Sequence, residues 1–238
     1  MTDVARQAIA VIPTYNERAN LPLLVAGIRQ HAPGMHILFV DDNSPDGTGT
    51  LADELSRQFP GEVSVLHRAG KAGLGKAYVA GFSQVLAGPY QYIMLMDADL
   101  SHDPSHLPAF LAKIEENDVV IGSRYITGIS VVNWDLKRLI LSKMATRYVQ
   151  LVTGMAYTDT TSGFNMWRRE ALEAIAFGST FASGYMFLVE MKFKAYRRGL
   201  RVAEVPIIFI ERKSGDSKLD RRILWEAILG VLRLRLKY

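Results

Sequence analysis

The chain has 238 residues, 49% of them hydrophobic and 22% charged, a length for one domain with at most an appendage and a composition that excludes wholesale disorder. It has no cysteine, which excludes disulfide frameworks, cysteine-ligated zinc and cysteine nucleophiles. The net charge of +4 is uneven: residues 1–191 carry 15 Lys/Arg against 19 Asp/Glu and residues 192–238 carry 13 against 5, so a slightly acidic body has a basic C-terminal end suited to an anionic surface, nucleic acid or lipid.

Ala8–Ile12 is a short apolar run stopping at Pro13, and Leu21–Gln30 has helical spacing. His36–Val40 is apolar and stops at Asp41-Asp42; Thr50–Phe59 then predicts a helix and Val63–His67 a strand. Lys76–Leu86 predicts a helix, Tyr92–Met96 a strand stopping at Asp97, Pro104–Glu116 a helix and Val119–Ile121 a strand. Strands and helices alternating through short connections argue an α/β fold, Rossmann-like, with a mainly parallel central sheet and helices on both faces. From residue 123 the alternation breaks. Asp135–Val152 predicts a helix with basic residues along it, Thr158–Gly163 a polar loop and Gly184–Arg197 a helix. Leu200–Ile210 reads as extended chain interrupted by Pro206, Glu211–Leu219 as a charged loop and Arg222–Leu236 as an amphipathic helix. No repeat or low-complexity linker divides the chain, so 1–219 reads as one domain and 220–238 as a C-terminal helix. No apolar run approaches the roughly 18–20 residues that cross a bilayer, and Met1 to Arg6 lacks a signal-peptide pattern. The expectation is a cytoplasmic protein that does not span a membrane.

Open α/β sheets bind ligands beyond the carboxyl ends of their strands. Polar residues cluster at those ends: Thr14-Tyr15-Asn16-Glu17, Asp41-Asp42-Asn43, Asp97 with Asp99, and Ser123-Arg124. A dinucleotide fold would place glycines after the first strand, where this chain has Pro13-Thr14-Tyr15-Asn16-Glu17. Gly70 to Lys76 has the P-loop spacing G-x-x-x-x-G-K, but Ala77 stands where a hydroxyl must hold Mg²⁺. That glycine-rich turn, with Arg68, Lys71 and Lys76 near it, still suits contact with an anion; the alternative is a flexible loop closing over the helix start. In Asp97-Ala98-Asp99 the two carboxylates share one face of a strand end. A divalent cation carrying a diphosphate resolves their repulsion; a solvated turn is the alternative. His102 and His106 lack the intervening glutamate of a zinc-protease helix and read as turn or surface histidines.

Six segments then stand in order: Pro13–Glu17, Val40–Thr48, Lys71–Ala77, Asp97–Pro104, Gly122–Tyr125 and Thr161–Phe164. Together they resemble the polyprenyl-phosphate mannosyltransferases, also called dolichol-phosphate mannose synthases, of glycosyltransferase family 2. The likeness runs from about residue 9 to residue 219, closing on Arg212 and Ser217-Lys218-Leu219. The first two motifs mark many family 2 enzymes, whereas the ordered set is specific. The resemblance implies a GT-A fold and transfer of mannose from GDP-mannose to the phosphate of a membrane polyprenol, dolichyl or polyprenyl phosphate. By motif position Pro13, Tyr15, Glu17, Val40 and Asp42 would hold the guanosine, Asp97 and Ala98 would contact the nucleotide, and Lys76 joins that set. Asp99 would bind Mg²⁺ or Mn²⁺, with Ser101, which stands where some relatives have Gln, as a second ligand directly or through water.

Breaking the anomeric C–O bond places negative charge on the departing diphosphate, which the metal on Asp99, with Arg212 and Lys218, would stabilise. The attacking phosphate monoester has a second pKa near ~6 and needs no strong base. A single displacement with inversion follows, giving the β-linked product, and Asp159 is expected to be structural. Arg124, Arg138 and Ser142 would receive the acceptor phosphate, the last two being i,i+4 on one helix face; the alternative is a solvated basic face of Lys137, Arg138, Lys143 and Arg147. The last segment is apolar at 223, 224, 227, 228, 231, 232 and 234, flanked by Trp225 and Tyr238 and surrounded by arginines. That is the composition of an in-plane interfacial helix, or else of a core-packing one. The implied location is peripheral, on the cytoplasmic face of a membrane, and a separate membrane-anchoring subunit stays open. A glucosyltransferase using UDP-glucose and a non-catalytic nucleotide-sugar-binding protein are the alternative functions. A nucleic-acid partner is not expected, because the basic residues interleave with Leu and Ile instead of stacking aromatics.

Overall fold

Seven strands share one sheet in the computed structural model, which describes residues 2–181, 184–210 and 221–238. A short helix α1 (Thr2–Arg6) leads into β1 (Ala8–Thr14), followed by α2 (Leu21–His31), β2 (His36–Asp41), α3 (Thr48–Gln58), β3 (Val63–His67), α4 (Leu74–Val85) and β4 (Tyr92–Leu95). A 3-10 turn, Pro104–His106, enters α5 (Leu107–Ile114), and β5 (Val119–Ser123) closes the alternating part. The rest comprises β6 (Val131–Val132), α6 (Leu136–Thr153), β7 (Asn165–Arg168), α7 (Arg169–Ala174), α8 (Tyr185–Arg197), β8 (Val202–Pro206), β9 (Phe209–Ile210) and α9 (Arg221–Lys237). The sheet order is β3-β2-β1-β4-β7-β5-β8. Every pairing is parallel except those of β7, which runs antiparallel to β4 and β5. β6 and β9 form a separate parallel pair.

The apolar runs become strands because both sheet faces are covered, the condition under which parallel strands read as continuous apolar sequence. Along β1 the side chains alternate between two cores. Ala8, Ala10 and Ile12 pack with Leu24, Ile28, Phe110 and Ile114 of α2 and α5. Ile9 and Val11 pack with Tyr78, Phe82, Leu172 and Phe187 of α4, α7 and α8. Gly81 lets α4 lie close on the sheet: a Cβ there would sit 2.5 Å from Val11 Cγ1 and 3.1 Å from Val40 Cγ2. A third core of Val149, Met155, Val189, Phe193, Val231 and Leu234 joins α6, α8 and α9.

Several elements depart from the sequence reading. α3 starts two residues early, at Thr48 after Gly47 (φ 84°), where Asp46 Oδ1 accepts from the Thr48 N–H (3.0 Å) and hydroxyl (2.6 Å). α4 begins at Leu74, inside the glycine-rich segment, with Gly73 at φ 98°. The extended chain after Leu200 is two strands. β8 ends on Pro206 at the sheet edge, where a missing N–H leaves no ladder partner unpaired. β7 was not anticipated, since four residues carry too little pattern to read. α9 packs on the core through Val231 and Leu234, while Leu229, Leu232 and Leu236 are 61%, 44% and 89% exposed. Among the described residues no helix is long and apolar enough to cross a membrane.

Candidate active site

The chain turns from building the sheet leftward (β1, β2, β3) to building it rightward (β4) across the β1/β4 boundary, so the ligand crevice of this topology opens at the carboxyl ends of those two strands. The three loops after β1, β2 and β4 hold Asn16 (φ 62°), Asn43 (φ 57°) and Leu100 (φ 64°), three of the five non-glycine residues with positive φ among the described residues. Backbone held in sparsely populated conformations gathers where function needs a fixed shape.

Thr14, Asp41 and Ser44 lock the first two loops together. Asp41 is buried and accepts from the Thr14 hydroxyl (3.2 Å), the Ser44 hydroxyl (2.6 Å) and the Ser44 N–H (3.2 Å). Gly49 makes room for it, since a Cβ there would stand 2.7 Å from Asp41 Oδ2. Asp42, 6% exposed, pairs with Arg68, and its N–H donates to the Thr14 carbonyl at 3.1 Å. Pro13 and Val40 are partners in the β1–β2 register. Val40's side chain is fully buried under α4, so Val40 meets the crevice only through its backbone. Tyr15 is exposed with Lys71 Nζ 4.1 Å from its ring centre. The Glu17 N–H donates to Thr48 Oγ1 (3.0 Å), and its carboxylate accepts from Asn20 (2.7 Å). Lys76 is exposed in the first turn of α4. A recess of about 500 Å³ opens beside this loop, lined by Asn16, Glu17, Asn20 and Asp46 among others.

At the end of β4, Asp97 and Asp99 are half-buried and Ala98 between them is in the core. Ser101, only 1% exposed, donates both its N–H (3.1 Å) and its hydroxyl (2.5 Å) to Asp99 Oδ1. His102 is no surface histidine. It is buried, its ring stacked on Phe164 at 4.7 Å and 6°. Its Nδ1 accepts the Asp97 N–H at 2.9 Å, and its Nε2 lies 3.7 Å from Asp97 Oδ2. Burial holds the imidazole pKa below its usual value, against the upward pull of Asp97 and Asp99. A neutral ring with hydrogen on Nε2 satisfies both contacts. Gly163 permits the approach of the next loop: a Cβ there would be 3.3 Å from His102 Cε1 and 3.7 Å from Asp97 Oδ2. His106 is structural as well, its Nε2 accepting the Ile208 N–H at 3.0 Å.

The described residues contain no group of three or more His, Cys, Asp or Glu able to cage a metal. β4 ends at Leu95, so Asp97 and Asp99 stand in the turn that follows it and not on one face of the strand as the sequence predicted; two carboxylates half open to solvent there would suit a divalent cation arriving with phosphate oxygens to complete its shell. The residues present fit such a cation, with Asp99 held in orientation by Ser101 and Asp97 by His102.

Beyond β5 lies a buried ionic network. Arg124 grips Asp159 with two parallel bonds, Nε to Oδ2 (2.6 Å) and Nη2 to Oδ1 (2.7 Å), and Nη2 also reaches Thr161 Oγ1 (2.8 Å). Burial alone would raise the Asp159 carboxyl pKa, but Arg124 and Lys192 hold it below the usual value. Lys192, 1% exposed, donates to the carbonyls of Thr160 (3.1 Å) and Ser162 (2.5 Å), and burial pushes its pKa down to about 7. Glu204 of β8 takes the N–H groups of Thr158 and Asp159 and the Thr158 hydroxyl. Sequence reasoning passed over Lys192. Its one signal was a charge four residues from Leu188 and three from Ala195 on a buried helix face. Trp134 was also missed, though it brings two selected residues together: the guanidinium of Arg138 lies 4.6 Å from its ring centre and that of Arg124 5.4 Å. Ser142 shares a 2.7 Å hydroxyl contact with Tyr125, next to Arg124. Arg212 and Lys218 lie outside the described residues.

Residues 9–176 match the family model Glycosyl transferase family 2. The chain belongs to glycosyl transferase family 2. Polyprenol monophosphomannose synthase of Mycolicibacterium smegmatis is 45% identical over 227 residues, covering 95% of this chain and 86% of the relative. Undecaprenyl-phosphate mannosyltransferase of Micrococcus luteus is 42% identical, covering 95% and 93%. These relatives bear out the resemblance drawn from the ordered motifs. Among solved structures, glucosyl-3-phosphoglycerate synthase of Mycobacterium tuberculosis, in complex with Mn²⁺, uridine-diphosphate and phosphoglyceric acid, superposes with a TM-score of 0.74 at 17% identity, covering 98% of this chain and 80% of that one. The fold of this family 2 glycosyltransferase is the expected GT-A fold.

Proposed function

We propose that this glycosyltransferase moves mannose from GDP-mannose to the phosphate of a membrane polyprenol, inverting the anomeric centre. The observation that carries the reading is the pair of relatives, 45% and 42% identical over 95% of the chain, whose names give polyprenol or undecaprenyl phosphate as the lipid. Pro13, Tyr15, Glu17 and Asp42, with the backbone of Val40 and Ala98, line the crevice for the nucleoside, and Lys76 stands at the glycine-rich turn for the diphosphate. Asp99, with Asp97 beside it, would hold Mg²⁺ or Mn²⁺, which would offset the charge growing on the leaving diphosphate. Ser101 keeps Asp99 in one orientation, and His102 fixes the Asp97 peptide. Arg212 and Lys218 are assigned to the same leaving group from their motif positions.

The acceptor phosphate meets Arg138 and Ser142 on α6. Arg124, its donors committed to Asp159 and Thr161, adds positive potential and fixes the loop beneath. Asp159, fully buried against a guanidinium, is not a base. None is required, since a phosphate monoester with a second pKa near ~6 is already ionised at neutral pH. The test incubates purified protein with labelled GDP-mannose, Mg²⁺ or Mn²⁺, and polyprenyl phosphates of several lengths, with UDP-glucose in parallel. A lipid-soluble, acid-labile β-linked product from GDP-mannose alone is expected. Product from UDP-glucose alone overturns the donor, and retention of configuration overturns the mechanism.

A further inference from the structure

A second recess, of about 250 Å³, lies against α6 and is lined by Tyr125, Lys143, Thr146, Arg147, Gln150 and Thr158. Four of these are at i, i+3, i+4 and i+7 of α6 and therefore share one face. No carboxylate lines it. Lys143 and Arg147 are exposed and, among the described residues, neither makes an ion pair; Lys143 Nζ sits 4.8 Å from the centre of the Tyr125 ring. The Tyr125 and Thr158 hydroxyls and the Gln150 amide are already bonded to Ser142, Glu204 and the Tyr157 carbonyl. Thr146 differs: it is 5% exposed, and its hydroxyl has no partner. A buried polar atom without a partner is costly and marks a missing acceptor or donor. Two cations and an unpartnered hydroxyl around a small recess are what an anionic phosphate requires.

The face of α6 next to the recess says which phosphate. Ile140, Met144 and Leu151, at i, i+4 and i+11, form an apolar stripe beside the cations, 49%, 63% and 70% exposed. A soluble ion has no use for that stripe, whereas an amphiphile with an anionic head matches both parts. We propose that this recess seats the phosphate of an anionic phospholipid headgroup, with Ile140, Met144 and Leu151 turned to the acyl region, as a docking site separate from the transfer crevice. Because it is argued from this recess and the adjoining face of α6, it stands or falls apart from the choice of donor and acceptor.

The test is co-sedimentation of the full chain with vesicles of phosphatidylcholine alone and of phosphatidylcholine with one-third phosphatidylglycerol, without sugar donor or polyprenyl phosphate. Binding to the anionic vesicles is expected, weakened about fivefold by each of Lys143→Gln and Arg147→Gln, the worth of one surface cation near a charged leaflet. Thr146→Val, which changes no charge, is expected to weaken it about threefold, one hydrogen bond's worth. Lys137→Gln, the same charge loss away from the recess, is expected to do less than Lys143→Gln. Thr146→Val without effect while Lys137→Gln equals Lys143→Gln would mean unspecific charge attraction and overturn the site. Saturable binding of inorganic phosphate without any vesicle binding would overturn the lipid. Turnover on a detergent-dispersed short-chain acceptor should be unchanged in the Lys143 and Arg147 variants; a parallel loss there would make the recess part of the acceptor site and overturn its separateness.

Discussion

Lys192→Met separates burial from bonding at the centre of the ionic network. The unbranched thioether fills nearly the volume of the lysine stem but carries no charge. Lys192 has a folded-state pKa of about 7 against an ordinary 10.5. Between those values the unfolded chain binds more protons, so raising the pH favours the fold, with a slope of about 1.4 kcal/mol per pH unit. Below pH 7 the buried ammonium costs about 5 kcal/mol, the full difference of the two values. The methionine variant escapes that cost but strands the carbonyls of Thr160 and Ser162, at roughly 1–3 kcal/mol each. The two effects nearly cancel at pH 6. At pH 9 the wild type should have gained about 2.7 kcal/mol on the variant. Urea unfolding of both proteins from pH 6 to pH 9, extrapolated to water, reads this as a difference curve in which the other titrations drop out. A difference that stays flat across the range would refute the reasoning, because Lys192 would then keep one protonation state throughout.

Other outcomes follow from the crevice and its supports. Asp99→Asn should lower transfer about 10²–10³-fold with little change in the thermal midpoint, since the amide oxygen can still accept from Ser101 while the negative charge is lost. Ser101→Ala should raise the Mn²⁺ concentration needed for half-maximal rate about 10–100-fold, the usual effect of removing a group that orients a metal ligand. Asp159→Asn leaves the buried Arg124 guanidinium without its counter-charge and should destabilise the fold by about 3–5 kcal/mol in chemical denaturation. Gly81→Ala forces a methyl to within 2.5 Å of Val11 Cγ1 and should cost about 1–3 kcal/mol, measured the same way.

The strand-and-helix alternation was legible because parallel strands buried on both faces cannot hide: Ile37–Val40 and Ala8–Ile12 are apolar throughout and stop abruptly, at Asp41 and at Pro13-Thr14. The same rule located the crevice, since Asp42 follows the run Ile37–Val40 and Asp97 and Asp99 follow the run Tyr92–Met96. What stayed hidden depends on contacts between distant segments. Nothing local tells that His102 turns inward to take the Asp97 N–H, or that Val40 turns its side chain into the core. The basic face of α6 read as one feature, yet tertiary packing divides it: Arg138 lies on Trp134, whereas Lys143 and Arg147 border a recess. Lys192 escaped because an apolar helix face predicts burial of everything on it, and charged residues are assumed to be exceptions.

The antiparallel insertion of β7 bears on how the protein is made. β4 and β5 emerge from the ribosome before the strand that must lie between them, and neither can pair with the other across the width reserved for it. Until residue 168 has been synthesised, two apolar strand edges wait open in the nascent polypeptide. A chain arrested between residues 123 and 165 should therefore aggregate or recruit a chaperone, and β4 and β5 should become neighbours in the sheet only in the step that brings β7 between them.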